Sequence, residues 1–185
     1  DEVWPSANLR ELRRTYALRT ASQDPGGAIA DLISVGANGD ADTIAEHYQL
    51  AAVRGGSRVL DALRQIPPRV LEEHPNLMLL RLILERANPE LPMEAVEELS
   101  QRFRRVAIAE LKQAPPERTL AATIHVMVAE RMNGNWDKAQ QLARDVFSQL
   151  QELREALHER ELDTGELSQP LVMPFMHAAC TALIT

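Results

Sequence analysis

The spacing of apolar residues is helical along nearly the whole chain. A stretch from about 135 to 161 repeats them in steps of three and four, which predicts one helix with a single apolar stripe: Trp136, Ala139, Leu142, Ala143, Val146, Leu150, Leu153 and Leu157. A second long helix is predicted from Met93 to Gln113, because Pro115 and Pro116 cannot continue it. Between them, residues 117–132 are apolar on almost every side, so we expect neighbours to cover this helix on several sides.

The first 90 residues predict shorter helices separated by turn sequences. We expect helices over 8–21, 28–37, 40–54, 57–66 and 76–87, with one further turn over 69–73. The predicted breaks are Asp24-Pro25-Gly26-Gly27, Asn38-Gly39 and Gly55-Gly56-Ser57, with Asp40 and Ser57 as helix caps. Residues 161–170 are predicted to form a polar loop, and residues from 171 onward a final helix. No segment shows the alternation of apolar and polar residues that is typical of a β-strand.

An internal repeat is the most informative feature of the sequence. Residues 38–44 align with residues 133–139, since both begin with Asn-Gly and continue into a helix. More loosely, residues 84–88 align with residues 129–133, which gives a period near 45. We therefore predict an all-α fold in which antiparallel helix pairs stack as a tetratricopeptide-like right-handed solenoid. The alternative is an irregular helical bundle. The prediction is one helical-repeat domain over 1–185, with units 28–55, 76–114 and 117–161 and an incomplete unit 171–185.

Composition and charge narrow the functional classes. The chain has 185 residues and a net charge of −7, and aromatic residues make up only 4%, so we expect no direct nucleic-acid binding. No apolar run is long enough to cross a membrane, and the single cysteine, Cys180, excludes an internal disulfide and a Cys-cluster zinc site. Neither lysine, Lys112 nor Lys138, follows a glycine as a phosphate-binding loop requires. We expect a soluble, cytoplasmic protein without a cofactor.

Residues 28–36, 42–48 and 60–77 carry a resemblance to a known family. They resemble the helical-repeat region of large LuxR-family transcriptional regulators related to the maltose-regulon activator, although Leu60 stands where that family usually has tryptophan. The resemblance implies a sensor and interaction arm that binds an inducer or a partner protein and controls self-association. It also implies a longer protein, with a nucleotide-binding module before the arm and a DNA-binding module after it. The alternative is a stand-alone tetratricopeptide-like scaffold for peptides, and an all-helical enzyme is a remote third possibility.

No residue pattern marks a catalytic or metal site. The five histidines lack the spacing of a two-histidine metal motif, and Cys180 lies among alanines with no base assigned to it. We therefore predict a non-enzymatic protein. A solenoid has a concave groove, and the polar residues within the apolar helices are the candidate groove contacts, although each could instead bond to backbone or water: Arg81, Glu85, His125, Glu130 and His177. The arginines near 10–14 and 102–105 are expected to form surface ion pairs, with docking of an acidic partner as the alternative.

Two expectations concern particular helices. Trp136 heads the long apolar stripe, so we expect it to be buried against Val128 and Met132 of the preceding helix. The last predicted helix has an apolar face with no covering element in the chain, formed by Ala179, Ala182, Leu183 and Ile184. We therefore expect an exposed apolar patch there, and self-association of this chain as a homo-oligomer through the C-terminal helix.

Overall fold

The described residues of the computed structural model are helical, with no β-strand among them. The structure describes residues 6–159, 177–179 and 181–182. The chain divides into two compact units, Asp1–Pro92 and Met93–Thr185. The predicted all-α class is therefore confirmed for the part of the chain that is described.

The described residues of unit 1 form six helices around a small apolar core. They are α1 (Ser6–Thr20), α2 (Pro25–Ser34), α3 (Asn38–Val53), α4 (Gly56–Gln65), α5 (Pro68–Leu71) and α6 (Pro75–Arg86). Helix α2 contacts α1, α3 and α4, while α6 packs against α3 and α4. The core consists of aliphatic side chains that are almost inaccessible to solvent, among them Ile29, Leu32, Leu63, Leu77 and Leu80. Burial of a side chain of this size contributes roughly 1.5–3 kcal/mol, so these contacts hold the unit together.

The break predicted at Asp24-Pro25-Gly26-Gly27 is placed too late: α1 ends at Thr20, and the prolyl and glycyl residues already begin α2. Pro25 occupies the first turn of α2, and the Asp24 carboxylate accepts a hydrogen bond from Gly27 N at 2.9 Å. Pro25, Gly26 and Gly27 are all buried. A Cβ atom on Gly26 would lie 3.0 Å from the Cα atom of Gly55, so the glycines allow α2 to approach the start of α4 closely. The sequence resembles a linker, but its small residues serve helix packing.

The predicted turn at Asn38-Gly39 is also misplaced. Both residues lie in the first turn of α3, and the residue with a left-handed backbone is Gly36, at φ +78°. Asp40 lies within the first turn of α3, not at its cap, and binds Arg14 of α1. The helix therefore begins two residues earlier than its sequence pattern predicts. Ser57 likewise lies inside α4, which begins at Gly56.

Unit 2 contains the two longest helices among the described residues, α7 and α9, and agrees closely with the predicted pattern. Its helices are α7 (Met93–Gln113), α8 (Thr119–Met132) and α9 (Trp136–Glu159), with a 3-10 turn over Pro116–Arg118. Helix α8 packs against both α7 and α9, which confirms that it is covered on several sides. Its residues from Ala122 to Glu130 are all buried. The core is completed by Phe103 and Ala107 of α7 and by Ala139, Ala143 and Val146 of α9.

The hairpins α2–α3 and α8–α9 close with the same backbone turn. Gly36 and Gly134 have φ values of +78° and +77°, and the hydrogen bonds Ala37 N to Leu32 O and Asn135 N to Glu130 O are both 2.9 Å long. This is the Schellman pattern that ends a helix through a left-handed glycine. The equivalent residues are 98 positions apart, so the sequence alignment of residues 38–44 with 133–139 was shifted by three residues.

Some expectations lie partly or wholly outside the described residues. The predicted polar loop over 161–170 lies outside them. Of the predicted final helix, only 177–179 and 181–182 are described, and they are helical; Ala178 and Thr181 are buried, while Ala179 and Ala182 are intermediate. Leu183 and Ile184 lie outside the described part, so the C-terminal patch stays a prediction. In the described residues, no helix is both long enough and apolar enough to cross a bilayer.

Candidate functional site

An open depression of about 520 Å³ lies at the α8–α9 turn of unit 2. It is formed by the end of α8, the turn at Gly134 and the first turn of α9, together with one side chain from α7. Its lining combines one aromatic ring with charged and amide groups: Arg104, Glu130, Asn135, Trp136, Asp137 and Lys138. Several polar groups thus surround one apolar surface, as is common in binding sites.

Glu130 lies at the base of this depression and is inaccessible to solvent. Arg104 binds it with two hydrogen bonds, Nε to Oε2 at 2.9 Å and Nη2 to Oε1 at 3.1 Å. Asn135 Nδ2 donates to Oε2 at 2.6 Å, and Lys138 Nζ donates to Oε1 at 2.5 Å. The carboxylate therefore has a donor for each of its main acceptor positions, as a buried charge requires. This ion cluster joins helices α7, α8 and α9.

The pKa of Glu130 follows from these contacts. Burial by itself raises the pKa of a carboxyl group, because it penalises the charged form. Hydrogen bonds from Arg104, Lys138 and Asn135 stabilise the charged form and outweigh burial, so that the pKa of Glu130 is lowered to about 2. The carboxylate is therefore ionised at neutral pH, and it already fills the anion-binding position between the two cations.

Trp136 is exposed, and the prediction that it is buried is wrong. Its exposed fraction is 44%, and it stands at the depression as the first residue of α9. The buried position is taken by Ala139, one turn later, which is fully inaccessible. Ala41 is buried at the equivalent place in the α2–α3 hairpin. Trp136 lies three residues before Ala139, in the first turn of α9, and it remains exposed although the two residues share the predicted apolar stripe.

Arg81 and Glu85, two of the predicted groove residues, are neighbours on α6 in unit 1. Glu85 is 3% exposed, and Arg64 of α4 binds it with two hydrogen bonds of 2.9 and 2.7 Å. Arg81 Nε lies 3.6 Å from Glu85 Oε1. The contacts between α4 and α6 thus account for the buried carboxylate of Glu85.

His125 and His177 lie in a second polar cluster of unit 2. His125 is buried, its Nδ1 lies 2.7 Å from Glu110 Oε2, and its ring contacts Phe103 edge-on. Burial, together with the charges of Arg131 and His125, lowers the pKa of His177 to about 4. The hydrogen bond from Arg131 Nη1 to Thr181 Oγ1, 3.1 Å long, links this cluster to the C-terminal helical residues.

The five predicted groove residues therefore occur in three clusters: Arg81 with Glu85, His125 with His177, and Glu130 in the ion cluster of the α8–α9 turn. The first of these clusters belongs to unit 1 and the other two to unit 2. Their common role in a groove stays a prediction. Among the described residues, no group of three histidine, cysteine or carboxylate side chains could hold a metal ion.

The sequence did not predict the contribution of Arg104, Asn135 and Lys138. Arg104 is one of the arginines expected to form surface ion pairs, but the carboxylate that it binds is the buried Glu130 of α8, 26 residues away. Arg102 does pair along its helix, with Glu98 at 3.7 Å. The arginine on the α8 side of α7 is the one that a helical-wheel argument would have selected.

Comparisons with known proteins found no relative from which a function could be transferred. No protein-family model matches the chain, and no significant match was found among curated proteins or solved structures.

Proposed function

We propose that this chain is the protein-interaction arm of a larger regulator and that its site at the α8–α9 turn binds a peptide segment of a partner. The LuxR-family resemblance, which covers roughly residues 28–87, supports the regulator part of the proposal. The α2–α3 and α8–α9 hairpins, with their common turn, support stacking in the manner of tetratricopeptide-like repeats. The binding part rests on the half-exposed ring of Trp136 at the depression.

The chemistry of the depression favours a peptide over a small anion. Arg104 and Lys138 already bind the carboxylate of Glu130, so a free anion would have to compete with a buried, fully bonded group. Trp136 supplies an apolar surface that is still available to a partner. Aromatic and arginine side chains beside a pocket are the groups that most often dominate protein interfaces. A peptide with a bulky apolar side chain flanked by hydrogen-bonding groups fits this arrangement.

A peptide-display selection tests the proposal. In a Trp4→Phe chain, Trp136 is the only tryptophan, so its fluorescence reports on binding at the depression. We expect selected peptides to change this emission and to share a bulky apolar residue. Trp136→Ala should weaken their binding by about tenfold or more, as expected for an aromatic hot spot.

Leu50→Ala is the matched control, because Leu50 is 55% exposed and lies in α3 of unit 1. It should leave the affinity unchanged. Peptides that bind the Trp136→Ala chain as tightly as the parent, or a selection that yields no peptide tighter than ~100 µM, would contradict the proposed site. Gene sequence encoding a phosphate loop upstream and a helix-turn-helix downstream would support the regulator; without them, the stand-alone scaffold is favoured.

A further inference from the structure

Helix α1 of unit 1 has an exposed surface that is both apolar and basic. Leu9, Leu12 and Tyr16 recur in steps of three and four, and their exposed fractions are 51%, 54% and 65%. Together with Arg13 and Asp31 they line an open depression of about 460 Å³. Side chains of this size are seldom left exposed as a continuous patch unless something binds there. We call Leu9, Arg10, Leu12, Arg13 and Tyr16 the α1 face.

The charge of α1 is opposite to that of the chain. The helix carries four arginines and one glutamate, whereas the chain has a net charge of −7. Arg14 binds Asp40 and lies 3.6 Å from Glu11, so these charges are satisfied within unit 1. Arg10 and Arg13 are exposed, and neither has an ion-pair partner among the residues that the structure describes. The α1 face therefore fits an acidic surface that also offers an apolar side chain.

The first turns of α7 in unit 2 offer a surface of that kind. Met93 is 68% exposed, and Glu94, Glu97 and Glu98 are exposed beside it. Glu98 lies 3.7 Å from Arg102, while Glu94 and Glu97 have no ion-pair partner within the described ranges. We call Met93, Glu94, Glu97 and Glu98 the α7 face. It has the opposite charge to the α1 face and has one flexible apolar side chain that can enter a shallow depression.

We propose that the α1 face of one copy of this chain binds the α7 face of a second copy. The contact joins two different surfaces, so it is head-to-tail and can add further copies. It buries apolar side chains on both sides and pairs arginines with glutamates, which provides orientation as well as affinity. Two short helix faces bury less than a standard interface, so we expect a dissociation constant of roughly 10–500 µM.

A second copy fits these surfaces better than an anionic membrane does. A lipid surface attracts the arginines of α1 but repels the remainder of a chain whose net charge is −7. The α1 face also borders a concave depression, which receives a side chain more readily than a flat headgroup layer. The second-copy proposal is independent of the peptide site at the α8–α9 turn and shares no residue with it.

Charge reversal followed by charge exchange tests the proposal. Sedimentation velocity of the whole chain from about 10 to 500 µM should show association that weakens as salt is raised, because exposed charges are screened. Arg10→Glu with Arg13→Glu should weaken it at least tenfold, as should Glu94→Arg with Glu97→Arg. The chain with all four changes should associate again, since both faces are then reversed. Arg69→Glu with Arg86→Glu alters the net charge equally on exposed unit 1 residues and should have no effect.

Several results would overturn the proposal, provided that circular dichroism shows every variant to be folded. The first is that the parent chain remains monomeric at 500 µM. The second is that its association survives charge reversal of the α1 face; that result would favour the C-terminal helix as the contact. Association that is lost on reversal but not restored by the fourfold exchange would exclude the α7 face. Binding of the parent chain to vesicles containing phosphatidylglycerol, without self-association, would assign the α1 face to a membrane.

Discussion

The hairpins α2–α3 and α8–α9 share a turn but differ in the residue buried beneath it. The carbonyl groups of Leu32 and Glu130 accept the equivalent hydrogen bond that closes each turn, and both side chains are fully buried. Leucine stabilises its hairpin by removal of apolar surface from water. Glutamate must instead be surrounded by donors, which come from α7, the turn and α9. The same backbone therefore yields an inert core in one unit and a polar site with an exposed tryptophan in the other.

A second comparison concerns the two buried glutamates. Glu85 and Glu130 occupy aligned positions near the end of a helix, and an arginine from an earlier helix binds each of them with two hydrogen bonds. Glu130 also accepts hydrogen bonds from Asn135 and Lys138. Within the described part of unit 1, the second cation beside Glu85 is Arg81, and its Nε lies 3.6 Å away. The alignment predicted equivalent positions but not this difference in support.

The largest expected effect comes from an exchange of the two buried side chains. Leu32→Glu places a carboxylate in an apolar site without donors, so we expect a loss of about 4 kcal/mol or more in the free energy of unfolding. Glu130→Leu removes a buried charge, while Arg104 and Lys138 can reach water, so we expect a change within about 1.5 kcal/mol. Urea denaturation followed by circular dichroism measures both.

Ser34→Glu is the control for this exchange, because Ser34 is exposed near the end of the same helix. It should alter the free energy of unfolding by less than about 0.5 kcal/mol. Equal losses in the free energy of unfolding for Leu32→Glu and Glu130→Leu would contradict the proposed difference between an apolar position and a polar one.

The next largest effect is a dependence of the free energy of unfolding on pH, caused by Glu130 in unit 2. The pKa of Glu130 is lowered to about 2 in the folded protein, so its contribution is complete above the ordinary pKa near 4.5 and is lost as pH falls from about 5 to about 2. We expect a loss on the order of 3 kcal/mol across that range. Glu130→Gln should remove this part of the acid dependence in urea titrations repeated from pH 6 to 2.

His177 provides an internal check on that experiment, because its window is different. Its pKa is lowered to about 4, so the folded protein loses stability as pH falls from about 6.5 to about 4. His177→Asn should flatten this upper window and leave the lower one intact. A single transition that both variants alter equally would contradict the two separate assignments.

A smaller effect distinguishes the two Arg–Glu pairs. Arg64→Ala leaves the buried carboxylate of Glu85 with weak support, so we expect a loss of about 2 kcal/mol, reduced from the value for a fully buried pair because Arg64 is partly exposed. Arg104→Ala leaves Glu130 bonded to Asn135 and Lys138, so we expect about 1 kcal/mol. Thermal and urea unfolding of the two variants should preserve this order; the reverse order would refute the comparison.

The smallest expected effect is that of Trp136→Ala on stability. A buried tryptophan typically costs about 3–5 kcal/mol when it is removed, but Trp136 is 44% exposed, so we expect less than about 1 kcal/mol. Phe103→Ala, at a fully buried aromatic residue of the same unit, should cost about 3 kcal/mol or more. Similar losses for the two variants would show that Trp136 belongs to the core and not to a binding surface.

The amino-acid sequence by itself determined the helical fold class and the bounds of the long helices. Steps of three and four between apolar residues predicted α7 from Met93 to Gln113, and the structure has these bounds. The Asn133-Gly134 turn was also predictable, because glycine readily adopts the left-handed conformation that ends a helix. These properties depend on neighbours within one or two turns of the chain, and the sequence presents such neighbours directly.

Only the tertiary structure decided what the polar and small residues do. Pro25, Gly26 and Gly27 resemble a linker in the sequence. In the fold, Gly26 lies against Gly55 and Val59 at the start of α4 and Gly27 against Asp24, so both positions need residues without bulk. Glu130 is ionised and buried because donors from α7, the α8–α9 turn and α9 meet there, and the sequence separates Arg104 from Glu130 by 26 residues. Periodicity fixes which residues share a face of a helix, but burial and charge compensation depend on which helix that face meets. The apolar stripe of α9 therefore predicts that Trp136 is in the core, but the way α9 packs against α8 leaves this side chain exposed.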